Sequence, residues 1–243
     1  MRILAIGNSF SQDAARYLHQ IARKGEVPVE VTNLYIGGCP LEKHFRNMMA
    51  DSRAYTLQYN GMSTGFPVSI KEALLNRSWD VVTMQQASGD SFKADSYYPY
   101  INELTDYVRR CVPNAKIVVH QTWAYEQGSA KLESVGFADQ KDMFDGLKNA
   151  YDLAAEKINA DGMIPSGQLF QNMLSNGFEK VHRDTFHASL GAGRYALGLL
   201  WYRMLTGADI TENTFCDFDE EVTQDEIDTI KRLVMAFEPL KLK

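Results

Sequence analysis

The chain of 243 residues is 45% hydrophobic and 23% charged, which supplies a sizeable core and excludes a disordered or fibrous protein. Its formal net charge is -6 and no window is rich in Lys or Arg, so it lacks the basic footprint that nucleic acid demands. No apolar run approaches the roughly 18 residues of a membrane span, and stretch 3–6 is too short for a signal peptide's apolar region. The chain as written is therefore expected in the cytoplasm, with no membrane or nucleic-acid partner.

The elements follow one another in a regular alternation. Residues 2–6 form a short apolar run that ends at Gly7 and predicts a first strand. Ala14, Tyr17, Leu18, Ile21 and Ala22 then keep helical spacing. Residues 29–36 read as a second strand stopped by Gly37-Gly38, and residues 79–85 as a third. A helical stripe runs through Tyr100, Ile101, Leu104, Tyr107, Val108 and Cys111. Residues 116–120 give a fourth strand, a second stripe runs from Met143 to Ile158, and residues 163–164 begin a short fifth strand. A buried helix over 190–205 ends at Gly207, and Ile227, Ile230, Val234 and Phe237 mark the last. Segment 48–67 fits neither period and reads as an excursion.

No repeat, low-complexity tract or linker divides the chain, so 1–243 reads as one domain. Strands alternating with helices imply βαβ units. The expected fold is α/β: a three-layer α/β/α sandwich around a mostly parallel, flavodoxin-like doubly wound sheet of about five strands. Ligands of such sheets bind beyond the carboxyl ends of the strands, and that is where the chemistry should lie.

The first strand runs into Gly7-Asn8-Ser9-Phe10-Ser11 just before a helix, where free N–H groups favour developing negative charge. Taken alone, Ser9 or Ser11 would simply cap that helix. Gly37-Gly38-Cys39-Pro40 is a turn that exposes backbone N–H groups, and Gln85-Gln86 offers neutral donors suited to an oxyanion. Gln121-Thr122-Trp123-Ala124-Tyr125 brings aromatics to the fourth strand's end, to wall a pocket or cover the core. Asp184 and His187 are three apart, so the carboxylate can orient the imidazole. His182 is a rival base, and His44 follows the second-strand turn. Cys39, Cys111 and Cys216 are odd in number and widely spaced, and read as reduced thiols. No close Cys/His cluster suggests a metal.

In combination these phrases resemble the SGNH hydrolases, the GDSL esterase and lipase superfamily. More closely, GNSFS, IGGCPLEKH, WDVVTMQQAS, QTWAYE and RDTFHASLGAGRY resemble its bacterial DUF4886 branch, over residues 2 to 207. The resemblance implies Ser9 as nucleophile, His187 as base and Asp184 as its carboxylate. It implies an oxyanion hole from the Ser9 and Gly38 N–H groups and a third-block side chain. That side chain is usually Asn and here best matches Gln86, with Gln85 as rival. Asn8 replaces the usual Asp of Gly-Asp-Ser. The literal Gly89-Asp90-Ser91 follows the wrong strand, so Ser91 is not the expected nucleophile.

The implied activity is that of a serine esterase without cofactor or metal. It would cleave a small acyl ester, acetyl above all, carried by a small molecule such as an acylated sugar. Trp123 and Tyr125, and at the pocket rim His44, would contact the substrate. The alternative is a non-catalytic binder of a glycan or phosphate ligand on the same fold.

Overall fold

The protein is described here by a computed structural model covering residues 1–242. Strand β1 (Arg2–Gly7) is followed by α1 (Ser9–Ala15), α2 (Leu18–Arg23), β2 (Glu30–Tyr35) and α3 (Leu41–Met49). A hairpin of β3 (Tyr55–Tyr59) and β4 (Met62–Val68) leads to α4 (Ile70–Asn76) and β5 (Val81–Met84). A single 3₁₀ segment at Ala94–Tyr97 precedes α5 (Tyr100–Cys111) and β6 (Lys116–Gln121). Then come α6 (Ala130–Ser134), α7 (Gln140–Lys157), β7 (Gly162–Pro165) and α8 (Ser166–Ser175). Helices α9 (Ala192–Thr206) and α10 (Gln224–Met235) complete the described elements.

The strands form one sheet in the order β4-β3-β2-β1-β5-β6-β7. All pairings from β2 to β7 are parallel, while β3 and β4 join antiparallel beyond β2. Helices α1, α2, α8, α9 and α10 pack together as one group, and α3, α4 and α5 as another. Central strands covered on both faces carry near-continuous apolar runs, and Ile3, Leu4, Ala5 and Ile6 are all buried. Helix α9 is buried almost all round, and Gly198 lets it approach α2: a Cβ there would sit 2.8 Å from Ile21 Cδ1.

The sheet has seven strands instead of about five, because segment 48–67 is no excursion. It ends α3 and then builds the β3–β4 hairpin. Asn60 and Gly61 turn it, with φ of 50° and 82°, as a two-residue hairpin turn with the strands' own twist requires. The expected helix over 14–22 is broken at Arg16-Tyr17 into α1 and α2.

The arrangement positions the site. The chain leaves β1 for β2 on one side and returns to β5 on the other, so β1 lies at the point where the strand order reverses. The segments after β1, β2 and β5 open together at the carboxyl edge, which is where a crevice forms in sheets of this kind.

Candidate active site

Asn8 caps α1: its Oδ1 accepts from Phe10 N–H at 3.0 Å, and its own N–H reaches Ser11 Oγ at 3.1 Å. Neither Ser9 nor Ser11 supplies the cap oxygen, and Ser9 is free to turn its hydroxyl outward. Ser9 Oγ stands 2.8 Å from His187 Nε2. His187 Nδ1 is 2.8 Å from Asp184 Oδ2, whose other oxygen accepts the His187 backbone N–H at 2.9 Å. A carboxylate only accepts, so the imidazole proton sits on Nδ1 and Nε2 faces the Ser9 hydroxyl as an acceptor. Partial burial works to raise the Asp184 pKa, but hydrogen bonds from His187 and the charges of His187 and Arg183 bring it below the usual carboxylate range.

The loop that carries these groups is tied from every side. The His187 ring lies against Phe186, with ring centroids 3.9 Å apart. Trp123 Nε1 donates to Phe186 O at 2.8 Å, and Glu126 N–H donates to Thr185 O at 2.8 Å. Asp13, fully buried on α1, accepts from Arg183 Nη1 at 3.0 Å, Arg194 Nε at 2.9 Å and the Ala188 N–H at 3.1 Å. One helix thus carries the candidate nucleophile and the anchor of the base's loop.

A cavity of about 310 Å³ opens over Ser9. Asn8, Phe10, Gly37, Gly38, His187, Tyr35, Phe186 and Ser88 also line it. Gly38 takes φ of +60°, the left-handed region, and a side chain is not accommodated there without strain. Among the described residues, the backbone N–H groups of Ser9 and Gly38 meet no acceptor.

The two glutamines do not face this cavity. Gln86 Oε1 accepts the N–H groups of Leu41 and Ala87, both at 2.9 Å, and its Nε2 donates to Ser96 O and Oγ at 3.0 Å. Gln85 Nε2 donates to Asn8 Oδ1 at 2.8 Å while its Oε1 accepts from His120 Nδ1 at 2.6 Å. The chain continues from His120 Nε2 to Ser166 Oγ at 3.0 Å, and at the other end from Asn8 Nδ2 to Cys39 O at 3.2 Å. Asn at position 8 therefore does what Asp would not: it donates to the turn that carries Gly38.

The three expected substrate contacts are also displaced inward. Trp123 is buried and stacks on Phe10 at 4.2 Å between ring centroids, forming the floor beneath the site. Tyr125 is buried, its hydroxyl 2.9 Å from Ser88 Oγ. His44 is buried behind the Gly38 turn between Cys39 and Tyr55, and burial lowers its pKa to about 3. The aromatic walls are instead Tyr35, at the end of β2, and Phe186, inside the Asp184–His187 motif. Each adjoins a phrase already singled out, and that adjacency was the available signal. Asp13 had a similar one, standing four residues after Ser9 on the same helix.

His182 is buried and donates to Ala124 O at 2.9 Å, away from Ser9. Ser91 is buried too, its hydroxyl given to Ser88 O at 2.9 Å. Among the described residues, no group of three or more His, Cys, Asp or Glu is placed to hold a metal, and no helix is long and apolar enough to cross a membrane.

A family profile described as a domain of unknown function, DUF4886, matches residues 2–233. A DUF4886 family protein from Bacteroides uniformis is 30% identical and superposes with a TM-score of 0.87, over 96% of this chain and 93% of that one. A candidate SGNH hydrolase from Slackia heliotrinireducens is 24% identical, with a TM-score of 0.61 over 84% and 97% of the two chains. A candidate GDSL-like lipase from Parabacteroides merdae is 17% identical, with a TM-score of 0.51 over 82% and 93%. Among curated proteins none matches significantly. The likenesses to these last two solved structures establish the fold, which is that of the SGNH hydrolases.

Proposed function

The chain belongs to the DUF4886 family and has the SGNH hydrolase fold, and from that premise we propose that it is a serine esterase acting on a small acyl ester. The observation that carries the reading is the continuous hydrogen-bonded line from Ser9 Oγ through His187 to Asp184. His187 Nε2 takes the Ser9 proton as Oγ attacks the ester carbonyl, and Asp184 stabilises the imidazolium that forms. The tetrahedral oxygen meets the unengaged N–H groups of Ser9 and Gly38, each worth about 2.7–4 kcal/mol in the transition state. The proton then passes from His187 to the leaving alcohol. Water, activated by the same imidazole, attacks the acyl-enzyme and releases the acid.

The cavity of about 310 Å³ over Ser9 has room for a small acyl group, and acetyl is the acyl group we assign to it. Tyr35 and Phe186 line the cavity and supply aromatic surface against which an alcohol such as a sugar can pack. The test is a fluorophosphonate probe read by intact mass. A single adduct on the wild type that disappears in Ser9→Ala supports the reading. Turnover of acetylated sugars should fall at least about 10⁴-fold in the same variant. No adduct on the wild type overturns the reading and favours the non-catalytic ligand binder.

A further inference from the structure

We infer that the Ser88 hydroxyl is a third oxyanion donor, and that Tyr125 is the positioning residue that fixes its proton. The assignment rests on the esterase reading. A tetrahedral oxygen at the carboxyl edge of β1 has Ser9 on the strand's own side and Gly38 beyond β2. The remaining quarter belongs to the segment after β5, which pairs with β1 through Ile6 and Met84. Within that segment Gln85 and Gln86 spend their side-chain donors elsewhere, and Ala87 has no side-chain donor and gives its N–H to Gln86 Oε1. Ser88 is its one residue that lines the cavity with Ser9, Gly38 and His187.

Either hydroxyl of the Ser88–Tyr125 pair can donate, and the charge at the cavity decides between the two directions. Ser88 Oγ and Tyr125 Oη are 2.9 Å apart, and Tyr125 Oη meets no other partner among the described residues. With negative charge at the cavity, Tyr125 donates to Ser88 and Ser88 donates onward to the oxyanion. In that order each bond polarises the next. Burial, the largest influence, keeps Tyr125 above the usual phenol range, so the donor stays protonated. The backbone of Ser88 is already held: Ser91 Oγ donates to its carbonyl at 2.9 Å, and Tyr97 Oη to Ser91 O at 2.7 Å. A donor fixed before the reaction is what an oxyanion hole requires.

The test measures kcat and KM on p-nitrophenyl acetate, with probe labelling and thermal unfolding, for wild type, S9A, S88A, S88T and Y125F. Expected are a fall in kcat of about 100-fold in S88A with KM within about threefold, and recovery to within about tenfold of wild type in S88T. Y125F, which keeps the Ser88 hydroxyl but frees its rotation, should lose about tenfold in kcat at unchanged KM. Wild-type kcat in S88A beside a silent S9A overturns the Ser88 assignment alone. So does an S88T as slow as S88A, which would mark a packing role. A wild type that neither labels nor turns over overturns the esterase reading, and this assignment with it.

Discussion

Gln86 joins two loops that the sheet alone leaves independent. Its carbonyl oxygen serves Leu41 N–H, at the start of α3 beyond the Gly38 turn, and Ala87 N–H, on the way to Ser88. Removing it orphans both donors in a buried place, at about 1–3 kcal/mol for each group. Gln86→Ala should therefore lower the urea-unfolding free energy by roughly 2–6 kcal/mol. An unchanged midpoint would dismiss the clamp. At this scale the sequence was only half legible. Ser9, Asp184 and His187 stand at motif spacings whose chemistry needs those letters. Which polar side chain after β5 faces the cavity depends on partners as remote as Leu41, Ser96 and His120, and no local pattern records them.

Among the elements, the loop from Asp184 to His187 carries an unusual conformation. Thr185 has φ of 74°, a left-handed value that costs a β-branched residue about 1–2 kcal/mol. Its carbonyl, not its side chain, makes the described bond, to Glu126 N–H. Asn tolerates this region better, so Thr185→Asn should raise unfolding stability by roughly 0.5–1 kcal/mol. A lower melting temperature in the variant would refute the strain. The hairpin is the element whose signal was present and unread. Asn60-Gly61 between Tyr55–Tyr59 and Met62–Val68 is a strong turn pair. Its second strand is almost wholly exposed and holds Gly65 and Pro67, which erased the alternation that marks a half-buried strand.

Across the whole molecule, three histidines are stored neutral. Burial is the leading cause in each: His44 and His120 are lowered to about 3 and His182 to about 4. An unfolded histidine titrates near 6.5, so below that value the unfolded chain binds protons that the native fold refuses. The stability is complete above about pH 6.5 and declines as pH falls, by up to about 1.4 kcal/mol per pH unit for each histidine. Urea titrations at pH 8, 6.5 and 5 should show a plateau and then a steep loss. A constant midpoint down to pH 5 would contradict the buried, neutral assignment. The alternation of strands and helices made the central sheet legible at this scale, because βαβ units repeat one local rule. The ionic ties from Asp13 on α1 to Arg183 in the late loop and Arg194 on α9 obey no such repeat, so no local pattern announces them.

The Ser9–His187 bond closes across 178 positions of sequence. Nearly the whole sheet must be laid down between its two halves, and the entropy of closing so long a loop is met only when the rest of the fold is in place. A nascent or truncated chain that ends before the Asp184–His187 loop holds a hydroxyl with no base. The pair that the proposed esterase needs is thus complete only in a chain that extends through the Asp184–His187 loop.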